Sequence, residues 1–237
     1  GYQSLYYNQA NSNTALGYMS LKDNTTGTLN VAVGRDALFN NTEGSSNTAV
    51  GYHSLVDNTT GTRNIAIGNN AYDDADTEND NLAIGYDALG GSIAGGEKNV
   101  AIGNYSLDEA TSGDYNTATG YDALTGNTTG ADNTSLGYQA GDAITTGSNN
   151  VVIGSGSDPS ANSASNQIVI GYGASGQANN SVTLGNADVT AIYMAQDAGA
   201  TIYASSLDAS GSNGIVLQND ETITNSTDGT VLITAPT

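Results

Sequence analysis

An all-β solenoid is the fold class that this 237-residue sequence predicts, and three observations predict it. Glycine recurs at Gly1, Gly17, Gly34, Gly51, Gly68, Gly85, Gly103, Gly120, Gly137, Gly154, Gly171 and Gly185, with gaps of 16, 17, 17, 17, 17, 18, 17, 17, 17, 17 and 14 residues. A fixed period of this length marks one small unit stacked on copies of itself. Bulky residues stand one and three places before the glycine with a small one between them, the period of two shown by a half-buried strand. Asn stands four places before the glycine in nine of the eleven complete repeats. A side-chain amide at a repeated place can pair with its equivalent in the next coil, as amide ladders do in cross-β stacks.

The first element of each repeat is the strand before the glycine, as in Asn30-Val31-Ala32-Val33, Asn64-Ile65-Ala66-Ile67 and Asn99-Val100-Ala101-Ile102. The glycine is a sharp corner, where the missing Cβ permits positive φ. A second brief strand is expected after it, from Tyr18-Met19-Ser20-Leu21, Tyr52-His53-Ser54-Leu55, Tyr86-Asp87-Ala88-Leu89 and Tyr121-Asp122-Ala123-Leu124. A polar loop closes the repeat, as in Asp23-Asn24-Thr25-Thr26-Gly27-Thr28, with Asn, Thr and Gly supplying turn chemistry. Eleven coils stacked at about 4.8 Å each would run roughly 53 Å.

Composition alone points elsewhere. Leu, Ile, Val and Phe are only 42 of 237 residues and the formal charge is −20, the profile of a disordered chain. The repeat overrides that profile, because each coil of a solenoid buries a thin stripe against its neighbours and needs no thick core. Four Lys or Arg against 24 Asp or Glu would repel phosphate backbones and anionic headgroups, so nucleic acid and membrane insertion are not expected. With no cysteine there is neither a disulfide framework nor a thiolate metal site. The chain opens at Gly1, already inside a repeat, which predicts a piece of a longer protein.

Two segments carry a resemblance. Asn180-Ser181-Val182-Thr183-Leu184-Gly185 and Asn149-Asn150-Val151-Val152-Ile153-Gly154 resemble the Asn-Ser-Val-Ala-Ile-Gly repeat of YadA-like heads in trimeric autotransporter adhesins. The longer Asn-Thr-Ala-Val-Gly-Tyr and Asn-Thr-Thr-Gly form is similar to repeats in bacteriophage tail fibres. The resemblance covers about residues 1 to 190 and implies a left-handed parallel β-roll in a homotrimeric fibre. The adhesin repeat is typically about fourteen residues, so the loops here look like insertions of roughly three residues per coil. The expected organisation is a β-roll over 1–188, a β-rich neck over 189–206 and a short β segment over 207–237. A trimer would carry about −60, three times −20.

Tyr follows the glycine at seven of twelve occurrences, and Tyr18, Tyr52, Tyr86, Tyr121 and Tyr138 are the candidate receptor-binding residues. Tyr offers apolar area and a hydroxyl to a glycan or protein. The competing expectation is that these rings only stack along the rod or cover a subunit seam. Asp74, Asp76 and Asp80 of the acidic loop are weak candidates for Ca²⁺, since the loop lacks the glycine and the bidentate Glu of a calcium loop. No metal and no cofactor are expected. His53 is alone, with no recurring Ser and Asp around it, so no catalytic residue is predicted. Asn24, Asn41, Asn58 and Asn127 begin Asn-x-Thr sequons but read as turn residues.

The function expected from all of this is structural and adhesive. The chain reads as an extracellular fibre segment, of a virion tail fibre or a bacterial cell surface, that presents a face to a host glycan or protein receptor. Multivalency turns its weak repeated contacts into avidity. The alternatives are a fibre-borne polysaccharide depolymerase, which would need a pair of carboxylates that nothing singles out, and an ice-binding solenoid. Thr14, Thr48, Thr117 and Thr134 share one place for the latter, but Val31, Ile65, Leu82 and Val100 break the row.

Overall fold

Extended residues ahead of each glycine do form strands. A computed structural model describes residues 1–91, 96–190 and 192, and these hold eleven short strands and no helix. They are β1 (Thr14–Leu16), β2 (Val31–Val33), β3 (Thr48–Val50), β4 (Ile65–Ile67), β5 (Leu82–Ile84), β6 (Val100–Ile102), β7 (Thr117–Thr119), β8 (Thr134–Leu136), β9 (Val151–Ile153), β10 (Gln167–Ile170) and β11 (Ser181–Leu184). All pair in parallel in chain order, one sheet from β1 to β11. The register sets each repeat place on its own equivalent, as in Ile65↔Leu82, Ala66↔Ala83 and Ile67↔Ile84. The result is a parallel β-solenoid with a strand on one wall of every coil.

In β2 to β8 a small central residue points inward. Ala32, Ala49, Ala66, Ala83, Ala101 and Ala118 are fully buried. The bulky residues on either side therefore face out, which makes the outer face of the sheet the more apolar of the two.

The second strand expected after the glycine does not form. Met19 and its equivalents take positive φ, and so does the Leu place from Leu5 to Gly141, at 50–56° for its Leu residues and 68° for Gly141. Right- and left-handed residues alternate along this wall. The physical reason is burial: Ala37 and Leu38, Ala88 and Leu89, and Ala123 and Leu124 are consecutive and all fully buried. A strand would send one of each pair to solvent. Left-handed geometry costs roughly 1–2 kcal/mol per non-glycine residue, and the freed N–H groups recover part of it by bonding to neighbouring coils. Asp87 N donates to Asn69 O at 3.1 Å and Leu89 N to Ser106 O at 2.9 Å, one to the coil behind and one to the coil ahead.

Two columns of Asn complete the interior. The Oδ1 of Asn13, Asn30, Asn47, Asn64, Asn81, Asn99, Asn116 and Asn133 each accepts the backbone N–H of the equivalent Asn one coil on, at 2.8–3.1 Å. Their Nδ2 groups reach the loop carbonyls of the following coil, as Asn99 does to Gly113 O at 2.8 Å. The second column runs Asn8, Asn24, Asn41 and Asn58, each Nδ2 donating to the preceding Oδ1 at 2.6–2.7 Å. It stops at Asn58, whose Oδ1 has no partner because the next coil places Ala75 there. The space is not lost. Tyr72 replaces the usual Leu in that coil, is fully buried, and accepts a 2.6 Å bond from Asn81 Nδ2 at its hydroxyl. The reverse exchange occurs further along, where Ile144 fills the Asn place and the Leu place shrinks to Gly141. Interior volume is conserved within these coils by compensating changes three residues apart.

Gly1–Thr190 is one compact unit, the solenoid. The expected neck over 189–206 and the β segment over 207–237 lie outside the described residues, apart from Val189, Thr190 and Ile192, none of which is in a strand.

Candidate functional site: an aliphatic sheet face and a tyrosine row

The outer face of the sheet is ordered and apolar. Two rows run along it, three places and one place before each glycine, and seventeen of their twenty-two side chains are Val, Ile or Leu. The most open of them, among them Leu16, Ile65, Ile67, Leu136, Ile168, Ile170 and Val182, are 36–65% exposed. Parallel in-register pairing fixes this surface, since every outward residue sits on its equivalent. Together the rows present on the order of 1,000 Å² of apolar surface, above the few hundred Å² of the largest patch on an ordinary monomer and close to the ~800 Å² that each partner buries in a standard interface.

Around the corner from that face runs the tyrosine row. Tyr18, Tyr52, Tyr86, Tyr121 and Tyr138 occupy equivalent places and are 40–52% exposed. Their rings are part of a near-continuous aromatic column. Tyr2 stacks on Tyr18 with centroids 5.4 Å apart, and Tyr121 on Tyr138 at 5.7 Å. Tyr105 stands edge-on to Tyr86 and Tyr121 at 5.4 and 5.7 Å. Arg35 takes the tyrosine place in its coil and puts its guanidinium carbon 5.6 Å from the rings of both Tyr18 and Tyr52. The contacts alternate between stacked and edge-on, and each of the five rings stays partly open to solvent. His53 stacks on Tyr52 at 3.9 Å, and its Nε2 lies 3.4 Å from Asp36 Oδ2.

The acidic loop is organised by protein groups. Arg63 clasps Asp80 with Nε and Nη2, Asp76 Oδ1 accepts from Thr59 Oγ1, and the Glu78 carboxylate accepts from the backbone N–H groups of Asp76 and Thr77. Asp74, Asp76 and Asp80 are not drawn together, and no group of three His, Cys, Asp or Glu able to hold a metal ion occurs among the described residues. The sequon residues Asn24, Asn41 and Asn58 are fully buried in the second Asn column, and Asn127 is fully buried at the equivalent place with its Nδ2 donating to Gly130 O, so all four are closed to a glycosylating enzyme.

Three carboxyls on the remaining walls are unusual. Asp73, Asp108 and Asp158 are each pushed up to about 6, in every case by burial first. Neighbouring carboxylates add to it: Asp74 and Asp87 at Asp73, Asp87, Glu109 and Asp122 at Asp108, and Asp142 at Asp158. The folded state therefore holds protons that the unfolded chain, with an ordinary Asp value near 3.8, has released. Stability from these groups is present below the ordinary value and is lost as pH rises through about 6. Asp80 and Glu97 run the other way, held low by hydrogen bonds from Arg63 and Asn79, and weaken the fold only below the usual carboxylate range. Acidification from pH 7 to pH 5 is expected to raise Tm by about a few °C, and Asp108→Asn to flatten part of that rise. A Tm that is level or falls from pH 7 to pH 5 by scanning calorimetry contradicts the assignment.

Alternating handedness after the corner is the part of this geometry that the hydrophobic pattern did not signal, and it is what aims the tyrosines and their neighbours. The comparisons with known proteins add nothing to it: no family model, no curated protein and no solved structure matches the chain.

Proposed function

We propose that the chain is a structural and adhesive segment of a homotrimeric extracellular fibre, a phage tail fibre or a cell-surface adhesin. Three left-handed β-rolls pack their aliphatic sheet faces about a common axis and display the remaining walls to a host glycan or protein receptor. The observation that carries this reading is the exposed Val, Ile and Leu face, ordered over eleven strands in a chain of charge −20. A surface of that kind is a liability for a lone soluble chain and an asset for a self-complementary assembly. The resemblance of Asn180–Gly185 and Asn149–Gly154 to YadA-like repeats supports the same arrangement. No residue takes a catalytic role in it.

Sedimentation velocity at micromolar concentration tests the assembly. A species of roughly 72 kDa, three times 23.9 kDa, is expected. Replacing Ile67 and Ile84, which are register partners on the outer face, with Glu is expected to give a folded monomer. A clean monomer for the unaltered chain, or a trimer indifferent to the double change, overturns the proposed seam.

A further inference from the structure

The four basic residues of this acidic chain are not evenly placed. Arg35 lines a cleft of about 410 Å³, on the wall that follows the glycine corner in the second to fourth coils, and Lys22 stacks on one of its lining rings, Phe39. The apolar lining is Tyr18, Met19, Phe39 and Val56, and Phe39 is the only Phe in the sequence. The volume suits one or two sugar rings and falls within the range of small-molecule sites.

Arg35 is held ready at the rim. Its guanidinium lies between the Tyr18 and Tyr52 rings, and its Nε donates to Asp36 Oδ2 at 3.0 Å. The two Nη groups have no protein partner among the described residues, and the side chain is 61% exposed. The Asp36 side chain is only 12% exposed, and His53 Nε2 lies 3.4 Å from the same Oδ2 that Arg35 Nε reaches, which leaves Oδ1 without a protein donor among the described residues. Lys22 does not line the cleft; its Nζ packs on the Phe39 ring, 4.5 Å from the centroid, and pairs with Asp23 Oδ1 at 3.2 Å. A flat apolar floor, a fixed carboxylate acceptor and a guanidinium with a free donor pair match three parts of one ligand. The C–H face of a pyranose packs on the floor, a ring hydroxyl donates to Asp36, and a ring carboxylate receives two N–H bonds from Arg35.

We propose that this cleft binds a carboxylate-bearing sugar residue of a surface glycan. This rests on the adhesive reading above and names the chemistry of its receptor. The surrounding charge of −20 sharpens selectivity, because a carboxylate finds little welcome elsewhere on the surface. The tyrosine row supplies the frame, and Arg35 is the one place in it where a ring is exchanged for a cation.

Isothermal titration of the full chain with methyl β-D-glucuronide, methyl β-D-glucoside and sodium acetate tests the proposal. The glucuronide is expected to bind at least tenfold more tightly than either of the others. Arg35→Gln is expected to remove that preference and Arg35→Lys to reduce it, while Arg63→Gln, on another wall, leaves it unchanged. Equal binding of glucuronide and glucoside, equal binding of acetate, or an unaltered preference in Arg35→Gln overturns the site. The comparison among the three ligands is made on the unaltered protein, so it stands even if a variant misfolds. Sedimentation of the same sample separates the two readings: a trimer without glucuronide preference rejects the cleft and keeps the fibre, and a monomer with the preference does the reverse.

Discussion

Gly68→Ala is expected to be the most damaging single methyl that can be added to this chain. Gly68 sits at a corner with φ of +145°, a region that L residues avoid, and a Cβ there would overlap the carbonyl oxygen of Gly85 one coil on. That oxygen cannot give way. The pairing of Ile67 with Ile84 fixes the spacing, and the bonds Gly68 N to Val50 O at 2.8 Å and Gly85 N to Ile67 O at 2.9 Å lock the corner on both sides. Relief requires two coils to part, so a loss of more than about 4 kcal/mol is expected, read as a collapse of the denaturant midpoint by circular dichroism. Gly156→Ala provides the contrast. Its φ is +60° but nothing lies within 4 Å of its would-be Cβ, and equivalent places carry Met19, Asp36 and His53. A cost of about 1 kcal/mol is expected there. If the two variants unfold alike, the corner contact is not what holds the coils at their spacing.

Asn99→Ala comes second in expected size. Asn99 is 1% exposed; its Oδ1 accepts from Asn116 N at 2.8 Å and its Nδ2 donates to Gly113 O at 2.8 Å. Truncation strands a buried N–H and a buried carbonyl, each costing roughly 1–3 kcal/mol, for a loss of about 2–5 kcal/mol. Asn99→Asp keeps the acceptor but sets a carboxylate against the Gly113 carbonyl. At pH 7 it is expected to be worse than Ala. Burial raises its folded-state pKa, so stability returns as pH falls and the protonated carboxyl becomes the missing donor. Asn40→Ala, which removes only an exposed bond to Asp57, is expected to stay within about 0.5 kcal/mol. Urea melts of the three variants at pH 7 and pH 5 check the order, and an Asp variant that gains nothing on acidification contradicts the donor role.

The strand wall, the corner and the inward place of the recurrent Asn were legible in the sequence because each obeys one strong rule applied in nine or more coils. Period-two runs place Ala32 or Ala66 inward. The bonding was not legible, since that Asn Oδ1 takes a backbone N–H and an amide-to-amide column forms at Asn24, Asn41 and Asn58, which read as turn residues. The wall after the corner escapes that kind of reading for an equally physical reason. Tyr52-His53-Ser54-Leu55 looks like a strand when only polarity is counted, since a single apolar Leu gives no period. The signal that separates the two lies at other residues. Gly141 stands at the Leu place, Gly156 and Gly173 stand two places after their corners, and Asp36, Asn70, Asp87 and Asp122 recur at that same place, all residue types that tolerate positive φ. Aligning the coils and asking which places admit glycine marks the left-handed sites. The cleft beside Arg35 has no periodic signature, because it is built from what one coil does differently from its neighbours.

In-register stacking on a seventeen-residue lattice also governs how such a gene can change. Excision or duplication of one whole repeat by unequal recombination moves every later residue by a full coil, so Ala falls on Ala, Asn on Asn and corner on corner. The junction then keeps the backbone register of any other step. Reach becomes a heritable quantity adjusted in single coil-height increments.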